Sequence, residues 1–327
     1  MSSAVRIAVV IPAFKVVDHI TDVIARIPNL VWRIYVIDDH CPLASGDHVS
    51  AHCTDSRVIV LRHNVNQGVG GAVMTGYEKA LSDGADIIVK IDGDGQMDPR
   101  LINRFIAPIV NGHADYTKGN RFFDLENLHT MPKTRLIGNA FLSFINKLST
   151  GYWDVFDPTN GYTAIHASVA RRLATHKISK RYFFESDVLF RLSILRAVVV
   201  DIPMHAHYGD EISNLSVPKA VPEFLFKHIK NFCKRIFYNY YLRDVSVASF
   251  QLPLGLLFFL GGVMYGAYHW LAFASKGVAA PTGTVVFPVM CILVGTQLLL
   301  AFINSDVNSV PRIPIHGLYE PDAKLLN

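Results

Sequence analysis

"VKIDGDGQMDP", residues 89–99, spends Val89, Lys90 and Ile91 on the end of a buried strand and then places Asp92, Asp94 and Asp98 at its tip. Two carboxylates one residue apart repel each other unless a positive charge lies between them. A divalent cation holding a phosphate is the natural occupant. An isolated Asp-x-Asp is more often a turn, so the surrounding chain must decide.

That chain alternates short apolar runs with helical patterns up to about residue 210. "IAVVIPAF" (7–14), "RIYVIDD" (33–39), "RVIVLR" (57–62), "DIIVKID" (86–92), "ADYTKG" (114–119) and "AVVVDIP" (197–203) read as strands, with helices such as "VDHITDVIARI" between them. The alternation predicts an α/β domain with a largely parallel sheet covered by helices on both faces. Ligands of such sheets bind beyond the carboxyl ends of the strands. The polar clusters fall there: Asp38 and Asp39, Asn66 to Gly71, and Asp92 with Asp94. Gly68, Gly70 and Gly71 do not keep the G-x-G-x-x-G spacing, and no acidic residue follows in a ribose-binding position. They are expected to let a helix start pack closely beneath a bound ligand. Asp39 has an alternative role as the cap of a turn or helix before "HCPLASGD".

Composition points to a mixed architecture. Half of the 327 residues are hydrophobic, too many for an ordinary soluble enzyme, yet the charged share is too high for an all-membrane transporter. The N-terminal apolar run is short and interrupted by Pro12, so it reads as a first strand and not as a signal peptide. Cys41, Cys53, Cys233 and Cys291 have neither metal-ligand spacing nor disulfide-framework density. A net charge of +4 does not imply nucleic acid. Near the end, residues 250–274 and 284–303 carry no Asp, Glu, Lys or Arg, and each meets the roughly 20 residues needed to cross a bilayer. Lys227, Lys230, Lys234, Arg235 and Arg243 precede them and Arg312 follows, whereas the connecting "SKGVAAPTG" has a single Lys. This bias predicts a two-helix transmembrane hairpin with both ends in the cytoplasm. Residues 222–246 interleave basic residues with Phe224, Phe226, Phe232, Phe237, Tyr238, Tyr240 and Tyr241, the make-up of a helix in the headgroup region. Packing against the soluble domain is the alternative for part of that surface. The expected division is 1–214 catalytic, 215–247 amphipathic juxtamembrane, 248–307 transmembrane and 308–327 cytoplasmic tail.

The order "VVIPAFK", "VIDDHCP", "NVNQGVGGA", "KIDGDGQMDP", "KGNRF", "DPTNGYTAI" and "FFESDVLFRL" resembles glycosyltransferase family 2 with its GT-A (Rossmann-like) fold, over about residues 5–215. With the terminal helices, the likeness is to the branch holding dolichol-phosphate mannosyltransferases and bacterial polyprenyl-phosphate counterparts. The resemblance implies that Pro12, Ala13, Asp38, Asp39 and Gly68 line the nucleotide pocket. It also implies that Asp92, Asp94 and Gln96 form the Asp-x-Asp segment holding Mg²⁺ or Mn²⁺ on the donor diphosphate, with Asp92 and Asp94 as metal ligands and Arg121 near the donor phosphates. Hard oxygen ligands and a cation suit a diphosphate leaving group. Where the family usually has Gly-Ser after the acid pair, this chain has His40-Cys41, which bears on the choice of base.

On the acceptor side, Arg135 matches the basic residue that meets a lipid phosphate, and an Arg fork suits phosphate oxygens. Asp157 of "DPTNGY" sits where other members place a base. A phosphate acceptor is already anionic and needs none, so Asp157 is either a base or a residue that orients Arg135 or the sugar. No Q-x-x-R-W occurs, which favours a single transfer over processive synthesis. The branch's basic residue ahead of Ser-Lys-Leu is missing from "HYGDEISNLSV", with Lys219 a candidate replacement. His205 and His207 lack a third ligand and read as packing or loop residues.

The expected protein is therefore an inverting, metal-dependent transferase at the cytoplasmic membrane face, the inner membrane if bacterial. It would take a nucleotide-sugar donor and a polyprenyl-phosphate acceptor, with no nucleic-acid partner; a homo-oligomer is compatible. Two alternatives stand beside it. One has a lipid or lipid-linked glycan hydroxyl as acceptor; the other is a non-catalytic membrane subunit, against which Asp92, Asp94, Gln96 and Arg121 argue.

Overall fold

A computed structural model describes residues 5–123, 133–204 and 217–319, with the side chains of 133–137 and 217–221 outside the description. The chain divides into two compact units, residues 1–232 with 311–327, and residues 233–310.

The first unit is built on a seven-stranded sheet: β1 (Ile7–Ala13), β2 (Val31–Asp38), β3 (Val58–Arg62), β4 (Ile87–Lys90), β5 (Tyr116–Asn120), β6 (Thr163–His166) and β7 (Val199–Pro203), in the order β3-β2-β1-β4-β6-β5-β7. Every strand expected from the apolar runs is present. β6 is the addition: four residues inside "DPTNGYTAI" that run antiparallel to both β4 and β5, while the other pairs are parallel. Its register sets Thr163 opposite both Lys90 and Lys118, so three polar residues stand in one row across the sheet.

Both faces of the central strands are covered, which is why Ile7, Val9, Ile11, Ile34, Val36, Val89 and Ile91 read as near-continuous apolar runs and share one core. The helices are α1 (Ile20–Ala25), α2 (Ser45–His52), α3 (Val69–Ser82) and α4 (Ile102–Val110), which pack on the sheet and its core, then α5 (Lys133–Thr150), α6 (Phe184–Leu195) and α7 (Val217–Phe237), the last running into the second unit. The end of the chain returns to the first unit. Buried Asp115 accepts hydrogen bonds from the Ile315 N–H (2.9 Å), the His316 N–H (2.8 Å) and the Val198 N–H (2.8 Å), and its carboxylate meets His316 Nδ1 at 2.8 Å. Burial pushes the Asp115 carboxyl up, and these hydrogen bonds outweigh it and hold it below its ordinary value.

The second unit is a helical hairpin of α8 (Val247–Ser275) and α9 (Thr282–Asn308), both long and apolar enough to cross a membrane and mostly exposed along their length. At its base, buried Arg235 grips Asp306 with two hydrogen bonds of 2.6 and 3.0 Å, and the Tyr240 hydroxyl donates to the same carboxylate at 2.6 Å.

Candidate active site

The carboxyl ends of β1, β2, β4 and β5 and the start of antiparallel β6 meet at one edge of the sheet. Asp38 and Asp39 close β2. Asp38 accepts from the Cys41 N–H (2.7 Å) and the Gly46 N–H (2.6 Å), which ties down the entry to α2. Asp39 accepts from the Gln67 N–H (2.8 Å) and the Gly68 N–H (2.7 Å) and meets His63 Nδ1 at 2.7 Å; the other ring nitrogen meets the Thr75 hydroxyl at 3.0 Å. Both carboxylates are buried and engaged by the protein itself. Pro12 and Ala13, at the tip of β1, lie beside them in register with Ile37 and Asp38.

The glycines at the start of α3 are packed closely by the protein. Gly70 N–H donates to the Lys180 carbonyl (2.8 Å), and a Cβ on Gly68 or Gly70 would strike the main chain of residues 179–180. Gly68 also holds a φ of +86°, a conformation that glycine adopts without strain. The loop ahead of α6 packs against this helix start.

At the tip of β4, the Asp92 carboxylate pairs with Lys90 Nζ at 2.8 Å, and Asp94 accepts from the Gln96 N–H at 3.0 Å. Asp98 turns to Arg100, accepting from its N–H at 3.1 Å and its Nε at 3.0 Å, and caps the turn into α4. Lys90 is 1% exposed; its Nζ also lies 3.5 Å from Glu185 Oε1 of α6. Burial drives the Glu185 carboxyl up, and the nearby Lys90 and Lys118 only partly offset it.

Arg121, just past β5, donates to Asp157 through Nε (2.7 Å) and Nη2 (2.9 Å) in a two-point fork. Asn160 adds a longer contact from its amide to Asp157 (3.3 Å). Lys118 donates to the Asn160 carbonyl and is fully buried, which presses its ammonium down to about 8. Asp201, half-buried nearby, is pushed up to about 6 by desolvation and accepts from Asn120 Nδ2 at 2.8 Å. The loop 157–162 thus spans the site, with Asp157 on Arg121 at one end and Gly161 against Lys90 and Asp92 at the other; a Cβ on Gly161 would collide with both side chains. The ensemble sets two partly exposed carboxylates on the same edge as a guanidinium, a donor set suited to a hard cation and an anionic oxygen ligand.

The family model for Glycosyl transferase family 2 matches residues 8–174, more than half of the chain and the part that builds this edge. The chain belongs to glycosyl transferase family 2. Its relatives include a UDP-N-acetylglucosamine–dolichyl-phosphate N-acetylglucosaminyltransferase of Methanococcus voltae, 36% identical over 47% of this chain and 61% of that protein, so less than two thirds of that relative's length is matched. An undecaprenyl-phosphate mannosyltransferase of Micrococcus luteus is 27% identical over 61% of this chain and 82% of its own. Among solved structures, glucosyl-3-phosphoglycerate synthase from Mycobacterium tuberculosis, in complex with Mn²⁺, UDP and phosphoglyceric acid, superposes with a TM-score of 0.53 at 17% identity, covering 71% of this chain and 79% of that one. The shared fold is GT-A.

Within this family 2 domain the sequence reading had kept Arg121 and Asp157 apart, one for donor and one for acceptor; the fold joins them. Lys90, Lys118, Glu185, Asn160 and Asp201 were not singled out. A lysine between Val89 and Ile91 in a buried strand was the visible signal for the first of them. Arg135 lies in the first turn of α5, and its side chain falls outside the described residues, as do Lys219, His205, His207 and most of "HYGDEISNLSV".

Proposed function

We propose that this chain transfers a single sugar from a nucleotide sugar to a polyprenyl phosphate, with inversion, from a catalytic unit held at the cytoplasmic face by the α8–α9 hairpin. The observation that carries the reading is the loop 157–162, which draws the Arg121–Asp157 fork and the Asp92–Asp94 tip to one edge of the sheet. Relatives named for dolichyl and undecaprenyl phosphate support the acceptor class.

Asp92 and Asp94 would hold Mg²⁺ or Mn²⁺, which when bound neutralises charge on the departing diphosphate. Arg121 would meet phosphate oxygens, and Asp157 fixes the plane of its guanidinium. With both carboxylate oxygens held by one arginine, Asp157 is better placed to orient than to take a proton, which favours an acceptor that brings its own anionic oxygen. Arg135, on α5, would meet that phosphate. Attack from the face opposite the diphosphate inverts the anomeric centre.

The return of the tail to Asp115 supports the sidedness: the catalytic unit and residues 315–316, which flank the hairpin in sequence, are joined by hydrogen bonds and so share one side. Incubating the detergent-solubilised chain with labelled nucleotide sugars and undecaprenyl or dolichyl phosphate should yield a mild-acid-labile lipid product. Labelling only of hydroxyl-bearing lipids would overturn the acceptor assignment.

A further inference from the structure

We propose that Lys90 makes cation binding at Asp92 and Asp94 conditional on the nucleotide, so that the strand tip binds Mg²⁺ or Mn²⁺ weakly alone and tightly only together with a diphosphate. This rests on the metal reading given above.

The ammonium of Lys90 lies 2.8 Å from Asp92 and is sealed from water by the β4–β6–β5 row and by Gly161, whose Cα admits no side chain over the pair. Its charge therefore falls on one of the two carboxylates assigned to the cation, and little water screens it. The third acid of the motif, Asp98, is spent on Arg100. Among the described residues, no group of three or more His, Cys, Asp or Glu side chains comes together to hold a metal. A hard divalent cation takes six or more oxygen ligands. The protein thus supplies two carboxylates, one of them paired with an ammonium; water can complete the oxygen shell, but the missing negative charge must come from the diphosphate. Glu185, with its Oε1 3.5 Å from Lys90 Nζ, acts with the opposite sign: it tempers the ammonium and adds negative charge near the tip.

The opposite signs separate an electrostatic role from a merely structural one. Mn²⁺ binding to the full chain in detergent, followed by the loss of the free-ion electron paramagnetic resonance signal, is measured without nucleotide and with UDP or GDP. The wild type should bind at least tenfold more tightly with one of the nucleotides. Lys90→Met should raise nucleotide-free affinity by roughly tenfold or more, and Glu185→Gln should lower it. The double variant Lys90→Met/Glu185→Gln removes both buried charges together, preserves the fold more readily than either single change, and should still bind Mn²⁺ more tightly than wild type in the absence of nucleotide. Equal wild-type affinity with and without nucleotide overturns the proposal, as does a double variant at or below the wild type. Absence of Mn²⁺ binding to the wild type even with UDP and GDP would overturn the metal reading itself, and this proposal with it.

Discussion

Asp157 and Arg121 act as a unit because the fork uses both oxygens of one and two nitrogens of the other, in a setting where Asp157 is 1% exposed. Removing Arg121 leaves a buried carboxylate unpaired, and removing Asp157 leaves a half-buried guanidinium misdirected. Asp157→Asn and Arg121→Ala should therefore each lower kcat/KM by on the order of 10²-fold, and the double variant should be little worse than the singles. Multiplicative losses, with a missing acidic limb in the pH–rate profile of Asp157→Asn alone, would return Asp157 to the role of base. The Asp-x-Asp tip carries its own expectation. Asp94→Asn should lower transfer at least 10²-fold with an unchanged circular dichroism spectrum, and EDTA should reversibly silence the wild type; undiminished transfer in EDTA would exclude the metal. His40-Cys41, in place of the family's Gly-Ser, has a local explanation. His40 keeps the left-handed φ of +54° that a glycine would favour, and Cys41 Sγ meets the Lys15 N–H at 3.0 Å and the Ser45 hydroxyl at 3.1 Å, as a serine hydroxyl would.

Among the helices, α5 and α7 meet through a buried polar contact, Ser149 Oγ to His228 Nδ1 at 2.8 Å, with Phe183 packed edge-on to the imidazole at 4.8 Å. Burial holds the His228 ring down at about 4, so the folded protein keeps it neutral while the unfolded chain takes up a proton near the ordinary value of 6.5. The contribution is whole above about pH 6.5 and is lost as pH falls from there toward 4, amounting to at most about 3 kcal/mol. Thermal melts of the wild type should fall between pH 7 and 5, and His228→Gln should flatten that slope. An unchanged slope in the variant would place the acid sensitivity elsewhere. The same two helices turn Phe141 and Phe144, and Leu225, Phe226 and Ile229, outward. Exposed apolar residues interleaved with Lys227 and Lys230 suit a surface that touches lipid headgroups.

For the whole molecule, the decisive connection is the one between residue 115 and residues 315–316, 200 positions apart for the first contact. The chain leaves the first unit at α7, forms the hairpin and comes back to that unit, so a hairpin that crosses the membrane as proposed must cross it an even number of times. A reporter inserted near Gly277 should be external and one fused after Asn327 cytoplasmic; a C-terminus on the far side would overturn the hairpin. Asp115→Ala should release the tail, because three N–H groups and an imidazole lose their acceptor, at about 1–3 kcal/mol for each donor left buried and unpaired. Limited proteolysis should then cut between residues 311 and 319 in the variant and spare the wild type.

Much of this was legible in the sequence because it is local. Strand runs such as "IAVVIPAF" announce burial on both faces, and the hairpin announces itself through two uncharged stretches. The Asp-x-Asp tip was readable because its carboxylates follow one such run directly. What the tertiary structure decided are contacts between parts of the chain that carry no shared signal. β6 is only four residues long and takes its place from its two partners. Arg121 and Asp157, 36 residues apart, become one group because β5 and the loop before β6 end at the same edge. The start of α3 packs against residues 179–181 from a later part of the chain. Lys90, Lys118 and Glu185 are legible singly as ordinary charges. Only the register of β4, β6 and β5, with α6 packed nearby, buries them together, and burial turns ordinary charges into ones that must be matched.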